Sequence, residues 1–93
     1  MYDLEVKEEA DWIFKKLAKK NRQQLIIIDK RIKEIRESPF GYTFLRKPLQ
    51  GFNQVHIDDH FVLIFKIDND RKVIIIYYYG HHDYVCQWQL KIG

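Results

Sequence analysis

The feature that most constrains this chain is a pair of apolar runs, FVLIFKI (61–67) and VIIIYYY (73–79), parted by a short polar break at Asp68-Asn69-Asp70. Both are rich in β-branched and aromatic residues, and both are far too short to span a membrane, so they read as consecutive strands. A shorter run holding Val55 and Ile57 precedes them, ahead of Asp58-Asp59-His60. Side chains alternate between the faces of a strand, so Val55 and Ile57 share one face, as do Phe61, Leu63, Phe65 and Ile67 in the next strand. The two sets can point at one core only if the loop between them has an odd number of residues. A three-residue loop, 58–60, meets that condition. It puts His56 opposite Val62 and Gln54 opposite Ile64, on the face turned away from the core.

The elements able to cover the core face lie upstream. Tyr2, Leu4 and Val6 alternate, as a short first strand would. Ala10, Ile13, Phe14, Leu17 and Ala18 then form one helical stripe, with Glu8, Glu9 and Asp11 at the positive end and Lys19 and Lys20 at the negative end. Asn21 followed by Gln24 is similar to a capping box and opens a second helix, whose stripe is Leu25, Ile28, Ile32 and Ile35. Pro39 disfavours helical geometry before it, so this helix stops by Ser38. Residues 39–51, with Pro39, Gly41, Pro48 and Gly51, read as irregular. The expected class is α+β in the order β-α-α-β-β-β, a helical hairpin packed on one face of a small, mainly antiparallel sheet, in a single domain over 1–93.

Two short helices cover only one side of such a sheet. The other side carries Val62 and Ile64, with either Ile74, Ile76 and Tyr78 or Val73, Ile75, Tyr77 and Tyr79 from the last strand. Val85, Trp88 and Leu90 are placed to cover part of it, and a protein partner would cover the rest. Trp12 and Ile27, each opposite the apolar stripe of its helix, add to the surface available to that partner.

With 46% hydrophobic and 31% charged residues the chain is globular rather than disordered. It lacks a basic-then-apolar leader and any membrane-spanning run, and Cys86 alone cannot form an internal disulfide, so a cytoplasmic protein away from membranes is expected. A net charge of +3 is only mildly basic. Its distribution is more telling: Phe40 to Ile57 contains no acid and includes Arg46, Lys47 and His56, a stretch able to meet phosphate.

Chemistry concentrates at the end of the last strand, in Gly80-His81-His82-Asp83-Tyr84. Imidazole is suited to moving protons near neutral pH. Gly80 is expected to allow a sharp exit and close approach of a ligand, with His81 and His82 projecting in different directions. The alternative is a turn whose histidines are simply solvated. His81, Asp83, Cys86 and His56 have metal-ligand chemistry, but no CxxC or HxxxH spacing organises them, so no metal is expected. A thiol nucleophile at Cys86 would need His82 as its base.

Taken in order, the helical hairpin ending ESPFG, the segment KPLQG before an aromatic, the hairpin VHIDDHFVLIFKID and the ending YYGHHDYV resemble the RelE/ParE superfamily of small toxins from bacterial and archaeal toxin–antitoxin pairs. The resemblance covers nearly the whole chain. It implies a RelE/YoeB-type endoribonuclease that cuts messenger RNA at the ribosome and so inhibits translation. In this family the 2′-hydroxyl attacks the adjacent phosphate without metal or cofactor. The resemblance further implies a RelB-like antitoxin partner, with operator DNA contacted only through the antitoxin complex. Carried over by motif, His81, His82, His56 and Tyr84 are the catalytic candidates, and Arg46, Lys47, Gln54 and Tyr79 the RNA-binding ones. Two positions depart from the family pattern: Val62 stands where an arginine is common, and Cys86 where many members have a tyrosine. A ParE-like gyrase inhibitor and a catalytically weak module that docks an antitoxin are the alternative readings.

Overall fold

The computed structural model describes residues 1–45, 50–85 and 87–88. The chain opens with β1 (Asp3–Val6), followed by α1 (Glu8–Lys20) and α2 (Arg22–Glu37). Acidic residues occupy the first turn of α1 and lysines its last, complementing the helix dipole. The Asn21 side chain accepts the Gln24 backbone N–H at 3.2 Å, which satisfies one of the donors that a helix start leaves orphaned. Helix α2 stops at Glu37, just ahead of Ser38-Pro39.

The segment expected to be irregular contributes a two-residue strand, β2 (Thr43–Phe44), ahead of β3 (Asn53–His56), β4 (Phe61–Asp68) and β5 (Val73–His81). The sheet thus has five strands in the order β1-β5-β4-β3-β2. All neighbours are antiparallel except β1, which runs parallel to β5 with Asp3 opposite Val73. His56 pairs with Val62 and Gln54 with Ile64, the register that the odd loop requires. Asp58 holds that loop closed: its Oδ1 accepts the backbone N–H groups of His60 at 2.8 Å and Phe61 at 2.9 Å.

Ala10, Ile28, Ile32 and Ile35 from the helices meet Val55, Leu63, Phe65, Ile74, Ile76 and Tyr79 from the sheet to form the main core. Strand β5 follows neither simple alternation. Ile64 pairs with Tyr78 but Phe65 with Ile76, so Tyr77 is the extra residue of a β-bulge. Ile74 and Ile76 face the helices before the bulge and Tyr79 after it, whereas Tyr77 and Tyr78 both join the cluster on the far side.

That far cluster is built on Phe52, Val62, Ile64 and Trp88, with Val85 at its margin. Trp88 stands edge-on to Phe52 and stacks on Tyr78. The C-terminal segment itself therefore covers Val62 and Ile64, and no partner is needed there; Leu90 lies outside the described residues. Among the described residues, the exposed large apolar side chains include Trp12, Ile26 and Ile27 on the helices, Phe40 and Phe44 beyond them, and Met1, Leu4 and Tyr84 elsewhere. Among the described residues, no helix is long and apolar enough to cross a membrane.

Candidate active site

Strand β5 does not turn at Gly80. It continues to His81, which pairs with Phe61 at the start of β4. A Cβ on Gly80 would lie 2.5 Å from the Tyr78 hydroxyl oxygen and 2.8 Å from its ring carbons. The close approach that this glycine permits is therefore to the Tyr78 ring, not to a ligand. Burial, and secondarily the charge of Glu9, pushes the Tyr78 phenol above its ordinary pKa.

Beyond His81 the chain enters a single 3₁₀ turn, His82–Tyr84. The His82 backbone N–H donates to the His60 carbonyl at 2.8 Å, clamping the β3–β4 loop to the exit of β5. The two sequential histidines consequently converge instead of diverging. Their ring centres are 4.6 Å apart, and the His60 ring lies 5.7 Å from His81, nearly parallel to it, and 6.2 Å from His82. The exposed Tyr84 ring is 5.6 Å from that of His81.

Asp83 sits between the two imidazoles. Its Oδ1 is 3.0 Å from His82 Nδ1 and its Oδ2 is 3.5 Å from His81 Nδ1. Its backbone N–H donates to His81 Nδ1 at 3.1 Å. These partners assign opposite neutral tautomers. His82 carries its proton on Nδ1, toward the carboxylate, leaving a lone pair on Nε2. His81 accepts at Nδ1 and carries its proton on Nε2.

The other sequence candidates are placed differently. Tyr79 borders the groove beside Phe61 and Gly80, but it is only 4% exposed and its hydroxyl accepts from Gln24 Nε2 at 2.6 Å, so it packs in the helix-side core and leaves almost no ring face for a base. Burial is the main cause holding its phenol above the ordinary value, with Asp58 adding to the shift and the Gln24 bond opposing it. Gln54 and His56 lie on the far face, away from the histidine cluster, through their pairing with Ile64 and Val62. Val62, between His56 and Gly80 across the sheet, is fully buried, so the position where an arginine is common in the family is covered as well as uncharged. Arg46, Lys47 and Cys86 lie outside the described residues.

Sequence reasoning left His60 out of the site. The signal was present, because the odd loop puts His60 beside Phe61, and Phe61 pairs with His81. It also passed over Lys16 and Lys20, which join Trp12, Phe61 and Gly80 around a groove of about 290 Å³ next to His81. The Lys16 ammonium lies 3.6 Å from the centre of the Trp12 ring. A larger groove, about 780 Å³, is lined by Lys7, Trp12, Tyr77 and Trp88 and contains none of the histidines. The convergent imidazoles lie outside that cavity.

No protein-family model matches the chain. A Methanosarcina mazei protein is 46% identical over 83 residues, covering 89% of this chain and 96% of the relative. A Methanocaldococcus jannaschii protein named "Putative toxin RelE4" is 41% identical over 83 residues, 89% of this chain and 88% of the relative. Among solved structures, the YoeB/ParE toxin from Agrobacterium tumefaciens has a TM-score of 0.79 at 11% identity, covering 86% of this chain and 98% of the other. A chain of the YoeB-YefM complex from Staphylococcus aureus has a TM-score of 0.74 at 18% identity, covering 88% and 98%. These two likenesses concern the fold.

Proposed function

Because the chain belongs to the RelE/ParE superfamily as a toxin of a toxin–antitoxin pair, we propose that it is a messenger-RNA endoribonuclease acting on the ribosome, held inactive by a cognate antitoxin. One observation carries this reading: two imidazoles, 4.6 Å between ring centres, stand at the exit of β5 with one carboxylate contacting Nδ1 of both. Cleavage by the 2′-hydroxyl needs a base to take its proton, positive charge against the phosphorane, and an acid to protonate the departing 5′-oxygen.

His82 is the base. Its Nε2 lone pair is free, and Asp83 at Nδ1 orients the ring and stabilises the imidazolium that forms, as the carboxylate does in other Asp–His pairs. His81 acts as the acid in its imidazolium form, with Asp83 Oδ2 facing Nδ1, giving the Nε2 proton to the leaving oxygen and returning to the neutral imidazole. The products are a 2′,3′-cyclic phosphate and a free 5′-hydroxyl. Lys16 and Lys20 beside Phe61, together with Arg46 and Lys47, supply phosphate contacts, and the exposed Tyr84 offers a ring for a base to stack on. His56 and Gln54 meet the message from the other sheet face as backbone contacts and take no part in the proton transfer.

Relatives solved with a partner, such as the YoeB-YefM complex, support an antitoxin for this chain too. The exposed Trp12, Ile26 and Ile27 are the surface we assign to it.

Mapping 5′ ends of ribosome-bound message treated with purified toxin tests the reading. His82→Ala should lower cleavage by about a hundred- to ten-thousandfold, the usual contribution of a positioned base. Intact message, with gyrase supercoiling blocked instead, would overturn it.

A further inference from the structure

The third imidazole has no part in that mechanism. His60 comes from the β3–β4 loop, His81 from the end of β5 and His82 from the turn after it, yet one ring nitrogen from each lies within 4.8 Å of the others. We infer that His60, His81 and His82 form a binding site for a divalent transition-metal ion of the zinc, copper or nickel class, and that its occupation silences His81 and His82. The binding half stands on geometry alone; the silencing half rests on the nuclease reading.

The backbone of all three ligands is already fixed. His82 is tied to the His60 carbonyl, His60 is tied to Asp58 through its own N–H, and His81 is held in register with Phe61. Little order remains to be imposed by an ion. Nitrogens bound to one tetrahedral ion at about 2.0–2.1 Å stand roughly 3.3 Å apart, so the rings need to close by no more than about 1.5 Å. His60 and His82 are exposed, and their rings can rotate that far without displacing a core atom.

Ligand chemistry selects the ion. Three neutral imidazoles suit borderline ions, while calcium and magnesium require oxygen cages that this cluster does not offer. Asp83 is positioned as the carboxylate that orients a metal-binding histidine: its Oδ1 at His82 Nδ1 leaves Nε2 for the ion. His81 must exchange tautomers, giving up the Asp83 amide hydrogen bond and donating from Nδ1 to Asp83 Oδ2, already 3.5 Å away. This set differs from the one that sequence chemistry considered: His60 enters, while His56 lies on the other face. An ion seated here removes both the lone pair of the base and the proton of the acid.

Calorimetric titration of the full chain with zinc chloride, alongside RNA cleavage at the same zinc concentrations, tests the proposal. We expect saturation at one ion per chain. His60→Ala should bind zinc at least about tenfold more weakly and retain its melting temperature, and its cleavage, whatever its metal-free rate, should not fall on adding zinc at the concentration that silences the parent. Cys86→Ser should bind as the parent does. Absence of saturable binding, unchanged affinity in His60→Ala, or loss of binding in Cys86→Ser would overturn the site. Cleavage continuing at saturating zinc would overturn the silencing. If no preparation cleaves RNA at all, the nuclease reading and the silencing fall together, and calorimetry still decides the site.

Discussion

Asp58 is an exposed carboxylate with three hydrogen bonds: two from the backbone of its own loop and one from Gln24 Nε2 at 3.0 Å. The His60 amide is the main cause holding its pKa below the ordinary value; desolvation opposes it, and Phe61, Gln24 and the charge of His60 add to the lowering. A depressed folded-state pKa means that the carboxylate contributes stability above its unfolded value of about 3.9 and loses it as pH falls through the folded one. Asp58→Ala should therefore cost about 1 kcal/mol at neutral pH, by analogy with a lost cap. The gap between the variant and the parent in urea melts should narrow in strong acid. A gap independent of pH would mean that the charge is irrelevant. At this scale sequence was a partial guide. His81, His82 and Asp83 announce themselves by residue type, but their convergence depends on one backbone bond, His82 to His60, that no local pattern encodes.

Among the elements, β5 shows where periodicity stops being informative. Three isoleucines followed by three tyrosines fit either face equally well, so alternation had nothing to choose between. The bulge at Tyr77 resolves it by using both settings in one strand: Ile76 and Tyr79 face the helices, while Tyr77 and Tyr78 serve Trp88 and its neighbours. The β3–β4 hairpin, by contrast, was legible to the residue, because unambiguous alternation on both sides permits only an odd loop. Gly80 belongs to the bulged strand's second half, where the Tyr78 ring lies against it. Gly80→Ala should cost about 1–3 kcal/mol by overpacking. Once Tyr78→Ala has removed the ring, the same change should cost less than about 0.5 kcal/mol, as a double-mutant cycle in denaturant would reveal. Additive costs would place the strain elsewhere.

For the whole molecule, the helix-side core and the cluster under Trp88 leave an apolar surface open on the outer faces of α1 and α2, at Trp12, Ile26 and Ile27. Replacing Ile26 and Ile27 by aspartate should leave the toxin's own stability within about 0.5 kcal/mol, as is usual for exposed positions. The same replacement should abolish co-purification with its antitoxin; retention of the complex would move the docking site away from α2. Helical hairpin and meander were readable because each joins near neighbours. The pairing of β1 with β5 was not, since no short-range signal specifies which distant edge a four-residue strand will join. That edge also sets an order of assembly. Residues 3–6 are made ahead of the other strands but have no sheet partners until 73–76 follow. The same late segment leads directly into the histidines. A nascent chain thus closes this edge and brings in its histidines within one short stretch, after both helices and β2 to β4 have been made.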